Sequence, residues 1–199
     1  MSQQPLAATE RSVSRASSVA ASAGVGVLAA VIGYLVTYVA VAGEVEEAVG
    51  DSVAEWKGVA WYYYNAHLVD IDASGEIGSI GGSRTVDFIA QSGSTSATLL
   101  YVVPPLVLLG VGAMVAYQFD ARDLGEAVIA GAPVTIGYAV VMGLGAVVTE
   151  ASTEGSFFGV DLSGSIAPQL VPAIFLGGVL YPLVFATAGA ILATVLASR

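Results

Sequence analysis

The sequence predicts an all-α membrane protein: four transmembrane helices with a small extracellular α/β cap between helices 1 and 2. Three observations carry that expectation. Of 199 residues, 56% are hydrophobic and 11% charged, where a soluble domain carries about 25% charged residues. Mean hydropathy is +0.80. Four long stretches contain no Asp, Glu, Lys, Arg or His, and each matches the roughly 20 apolar residues that a spanning helix needs.

The spans fall at 19–42, 97–119, 127–148 and 170–197. Residues 1–18 form an N-terminal tail, 43–96 the cap segment, and 149–169 a second outer loop. Basic residues set the orientation, because Lys and Arg stay on the cytoplasmic side. Arg11, Arg15, Arg122 and Arg199 all flank the spans on one side, which places both termini in the cytoplasm. Lys57 and Arg84 are the bases of the other side, where most of the acids also lie. A cleaved signal peptide is the rival reading of 19–42, since Ala40-Val41-Ala42 has a small-x-small form. Its apolar run exceeds the roughly 7–15 residues of a signal core, so the sequence predicts a retained span.

Inside the spans the sequence offers small residues and prolines. Ala20/Gly24, Ala29/Gly33, Ala139/Gly143 and Gly189/Ala193 are four apart, a spacing that lets membrane helices approach closely. Pro104, Pro105, Pro133, Pro168, Pro172 and Pro182 lie in or beside spans, where they break or kink helices. Tyr138 and Tyr181 fall near the middle of spans three and four. With Tyr34, Thr37 and Thr135 they are read either as helix-to-helix hydrogen bonds or as the lining of a small pore.

The cap segment is the most distinctive part. Val45, Val49, Val53, Trp56, Ala60 and Tyr63 recur at helical steps, opposite Glu47, Asp51 and Glu55, which predicts one amphipathic helix. It ends in Trp61-Tyr62-Tyr63-Tyr64-Asn65-Ala66-His67. Trp and Tyr favour the headgroup region, so an interfacial belt helix is expected. The functional alternative is a binding surface of Trp61, Asn65 and His67.

Leu68 to Asp72 alternates like a strand, and Thr85 to Ala90 reads as a second strand or a short helix. Asp70 to Ile77 matches the start of a calcium loop, with Asp70, Asp72 and Ser74 as candidate metal ligands. The twelfth position is Gly81 rather than the bidentate Glu that anchors the ion. A solvated acidic turn is therefore favoured. The loop at 150–167 is acidic and rich in Gly and Ser, with Phe157-Phe158 expected to dip into the interface.

Several chemistries are excluded. No Cys is present, which removes disulfides, thiolate metal sites and Cys nucleophiles. The net charge of −10 opposes nucleic-acid binding. The one His lies outside the spans, and no metalloprotease, phosphate-loop or nucleophile-elbow motif appears. No catalytic residue and no cofactor is expected. The expected partners are the lipid bilayer and another membrane protein or a second copy of the chain.

The motif Trp61-x-x-Tyr64-Asn65-Ala66-His67, after a first span and before three more, resembles an uncharacterised haloarchaeal family of four-span membrane proteins. The acid excess fits such a salt-adapted habitat. The resemblance implies location and no activity. The resulting expectation is a multi-pass, non-enzymatic structural or interaction subunit, with a small oligomeric transporter or channel for an uncharged or small solute as the alternative.

Overall fold

The computed structural model describes residues 4–157 and 160–198. Phe158 and Arg199 lie outside the described residues, as do the side chains of Arg11, Arg15 and Phe157. The protein is mostly helical, with one small antiparallel sheet at one end of a helix bundle.

The first helix, α1 (Gln4–Val49), runs well past the end of its apolar stretch. The helix stops at Gly50, whose φ of +59° suits a residue without Cβ, and a 3-10 turn follows over Gly50–Ser52. The chain restarts as α2 (Glu55–Ala66). The single amphipathic helix expected over 45–63 is thus two helices, broken where glycine allows a left-handed turn. After α2 come strands β1 (Ile71–Ile77) and β2 (Ile80–Val86), then the short α3 (Phe88–Ser92) and α4 (Thr95–Leu99). Asp87 and Ser94 cap these two by accepting from Ala90 and Ala97 amides.

Next, α5 (Val103–Gln118) carries Pro104-Pro105 in its first turn, directly after a tighter 3-10 turn at Leu100–Val102 that joins it to α4. A turn at Asp120–Asp123 leads into α6 (Leu124–Gly131) and α7 (Val134–Val148), separated at Pro133. Strands β3 (Ala151–Phe157) and β4 (Val160–Pro168) follow. The last span opens with α8 (Leu170–Pro172), widens into a π-helix over Ala173–Leu180, and ends as α9 (Tyr181–Ala197). Pro182 cannot donate to the carbonyl four residues back, and a π-turn is one way to absorb that loss.

Four helical stretches are long and apolar enough to cross a membrane: Ser17–Ala48, Thr95–Gln118, Leu124–Val148 and Leu170–Ala197. Their outward faces expose Leu28, Leu35, Leu144 and Leu196, and Val39 is 87% exposed. Contiguous apolar surface of that kind is foreign to soluble monomers.

Packing pairs α1 with α7 and α5 with α9. Glycine makes both approaches possible. Gly137 rests on the Ala23 carbonyl and Gly26 on the Val134 carbonyl, while Gly112 and Gly189 do the same against Ala186 and Leu109. A Cβ at any of these would overlap backbone. Of the small-residue pairs expected from spacing, Gly189 serves in this way, and Ala139 does so as the backbone that Gly178 of the last span rests on. Gly24 has nothing within 4 Å.

The sheet order is β2-β1-β4-β3, antiparallel throughout. Half of it therefore comes from the segment between the third and fourth apolar helices, which corrects the expectation of an α/β unit confined between helices 1 and 2. Strand β3 is filled by Ser, Thr, Glu and Gly and carries no apolar alternation, whereas β4 alternates Val160, Leu162 and Ile166 with Asp161, Ser163 and Ser165, the pattern of a strand within an acidic, Gly/Ser-rich stretch.

Candidate functional site

The aromatic helix α2 is a core element of the bundle. Every residue from Gly58 to Ala66 is buried, and Trp61 and His67 have no exposed surface. This corrects both expectations for the segment: it is neither an interfacial belt nor an open binding surface of Trp61, Asn65 and His67. The physical reason is that its polar tips find protein partners, so its rings can leave the interface.

One face of α2 is laid along the end of α7 nearest the sheet. Lys57, Trp61 and Tyr64 stand four and three residues apart, so they share a face. The Lys57 ammonium donates to the Glu150 carbonyl at 2.5 Å. The Trp61 indole N–H donates to the Thr149 carbonyl at 3.1 Å, and its ring stacks on Phe88. The Tyr64 hydroxyl donates to the Met142 carbonyl at 2.6 Å, in space left by Gly145. On the neighbouring face, the Tyr63 ring closes against Gly33 of α1.

Asn65 ties three elements together. Its amide N–H donates to the Val69 carbonyl at 2.9 Å, and its amide oxygen accepts from the Phe88 N–H at 2.8 Å. Donor and acceptor are both needed, which a carboxylate or a hydrocarbon of the same size would not supply.

At the centre is a ring of three side chains. His67 Nδ1 lies 2.7 Å from the Tyr63 carbonyl. A carbonyl only accepts, so Nδ1 carries the proton and Nε2 offers a lone pair. The Tyr138 hydroxyl, 2.7 Å from Nε2, therefore donates to it. The Tyr63 hydroxyl, 2.6 Å from that of Tyr138, donates in turn. Burial pushes the His67 imidazole down to about 4, against the opposing pull of the Tyr63 carbonyl. It also raises the Tyr63 hydroxyl well above the ordinary tyrosine range. The ring is neutral, directional and satisfied.

Backbone geometry sets up this ring. The C-terminus of α2 is a Schellman motif: Leu68 N–H donates to the Asn65 carbonyl and Val69 N–H to the Tyr64 carbonyl. His67 N–H also turns to Tyr64, which leaves the Tyr63 carbonyl for the imidazole. Leu68 holds the left-handed position at φ +58°.

Tyr181 sits beside the ring, with its ring centroid 5.0 Å from that of His67, and packs without a hydrogen bond among the described residues. Gly177 of the π-helix presses on Met142, His67 and Val69. Thr37 bonds to its own helix at Gly33, and Tyr34 donates to the Trp56 carbonyl. The buried hydroxyls of Thr135, Ser22 and Thr187 have no hydrogen-bond partner among the described residues.

The weak metal candidates come out differently. Asp72 and Ser74 lie along strand β1 and Asp70 just before it, with no loop to converge their oxygens. Asp72 accepts from the Gln169 amide, and Ser74 pairs with Ser165 across the strands. Among the described residues no group of three His, Asp or Glu side chains is placed to hold a metal ion.

The sequence profile of one family matches residues 1–197, nearly the entire chain. The chain belongs to the DUF7978 family. DUF7978 is a family of unknown function. No curated protein and no solved structure matches the chain. Membership agrees with the uncharacterised family expected from the layout, and it brings no activity with it.

Proposed function

We propose that this DUF7978 member is a multi-pass membrane protein with cytoplasmic termini that serves as a non-enzymatic structural or interaction subunit of a salt-adapted cell membrane. The observation that carries the reading is the closed hydrogen-bond ring of Tyr63, Tyr138 and His67. Those groups are the polar ones a carrier would use, and here each is spent on fixing α2 inside the bundle. A chain that conducts must leave such groups open to its cargo. A chain that holds partners in place needs rigidity.

The bilayer is one partner, and a second membrane protein is the other. Mild solubilisation of the native membrane followed by mass spectrometry is the test. The proposal expects one co-purifying membrane protein at fixed stoichiometry. Recovery of a homo-oligomer alone contradicts it. Orientation is read separately by labelling Ser74→Cys and Ala121→Cys in this Cys-free chain, with Ser74→Cys reacting from outside the cell.

A small-solute transporter is the second reading. The buried hydroxyls of Ser22, Thr135 and Thr187, without partners among the described residues, and the π-helix at Ala173–Leu180 favour it, since π-turns gather at functional positions.

A further inference from the structure

The sheet sorts its charges by face. Its strands pair without a bulge, so alternate residues share a side. Asp72 and Glu76 of β1, Glu154 of β3 and Asp161 of β4 fall on one face, beside a cross-strand row of Ser83, Ser74, Ser165 and Ser152. Arg84 is the only basic residue in the strands. It lies on the opposite face, across from Ala73.

That opposite face borders a hollow of about 590 Å³ under Ser52 and Val53. Arg84 and Thr153 stand at its wall, and Gly75, Gly82 and Gly164 form a floor without side chains. Among the described lining residues there is no Asp or Glu, in a chain whose net charge is −10. No hydrogen bond or ion pair engages the Arg84 guanidinium among the described residues. One row further out, the same face carries Ile77 and Ile80, which are 62% and 79% exposed, beside Leu162.

The geometry points to a binding site for an anionic amphiphile, its oxyanion on Arg84 and its hydrocarbon part across the glycine floor toward Ile77 and Ile80. A guanidinium fork matches the paired oxygens of a carboxylate or phosphate. The acids of the strands, Asp72, Glu76, Glu154 and Asp161, are on the other side of the sheet. An arginine needed only to keep the edge strand β2 from pairing with another chain requires no hollow beside it. The inference stands apart from the scaffold reading, because it concerns the sheet alone.

The test uses the full chain in nanodiscs of phosphatidylcholine, with octyl phosphate as the probe and calorimetry over empty discs as the readout. One octyl phosphate per chain is expected. Arg84→Gln should weaken it about tenfold or more. Gly82→Val should abolish binding by filling the floor, and it should fold, because a Cβ there meets nothing within 4 Å. Octyl glucoside and inorganic phosphate should each bind far more weakly than octyl phosphate. Equal binding by Arg84→Gln, or octyl glucoside or inorganic phosphate binding as tightly as octyl phosphate, overturns the site. Adding phosphatidylglycerol to the discs distinguishes the source: loss of octyl phosphate binding supports a membrane lipid as the ligand, and unchanged binding supports a soluble amphiphile in the same site.

Discussion

The Tyr138 hydroxyl donates to His67 Nε2 at 2.7 Å and accepts from the Tyr63 hydroxyl at 2.6 Å. One phenol thus joins α7 to both ends of a hydrogen-bonded ring on α2. Tyr138→Phe would leave the imidazole lone pair and the Tyr63 hydroxyl without partners, in a site closed to water. A loss of about 2 kcal/mol is expected. Tyr181→Phe, at a ring that only packs, should change stability by less than about 0.5 kcal/mol. Thermal unfolding of both variants in detergent checks the contrast.

Acid should weaken the fold through His67. Its folded-state value of about 4 lies below the ordinary 6.5, so the unfolded chain takes up the proton first. The contribution is therefore whole above about pH 6.5 and is lost as pH falls toward 4, amounting to about 3 kcal/mol at most. The titratable side chains facing it are Tyr63, Tyr138 and Tyr181, and none is a carboxylate. His67→Gln should flatten the fall in melting temperature over that range. An equal fall in the variant would assign it to the carboxylates elsewhere.

Leu68 occupies a backbone conformation that suits glycine. Its φ is +58°, its side chain is 60% exposed, and it closes the Schellman motif that aims His67. Leu68→Gly should stabilise the protein by about 1 kcal/mol. Chemical denaturation of the purified variant measures this.

The helix pair α1 and α7 depends on Gly137 lying against the Ala23 carbonyl. Gly137→Val should force the pair apart and lower stability by about 3 kcal/mol or prevent folding. Gly24→Ala, where a Cβ meets nothing within 4 Å, should be silent. Expression and melting temperature of the two variants provide the comparison.

Hydropathy was enough to find the four apolar helices, because lipid-facing residues such as Leu28 and Val39 announce themselves by type alone. The sheet was half legible. Ile71 and Val86 give β1 and β2 a trace of alternation, and Val160, Leu162 and Ile166 give β4 one as well, whereas β3, built of Ser, Thr, Glu and Gly, has none. Spacing also failed to separate Gly24 from Gly26, since only the rotation of α1 against α7 decides which glycine meets backbone. For α2 the residue types are legible in the sequence and their buried environment is not. The missed signal was the Lys57, Trp61, Tyr64 step, which puts three polar tips on one helix face. Such a face can bond to a neighbouring helix end as well as to lipid headgroups, and the sequence does not say which.

In the proposed function, α2 packs into the bundle against α7, from Thr149 to Tyr138, and the chain supports other molecules rather than passing them. Stopped-flow light scattering on proteoliposomes under glycerol and urea gradients tests it most directly. The account predicts shrinkage and recovery at the rate of protein-free vesicles, for wild type and Tyr138→Phe alike. Saturable solute entry through the wild-type protein, altered by Tyr138→Phe, would contradict it.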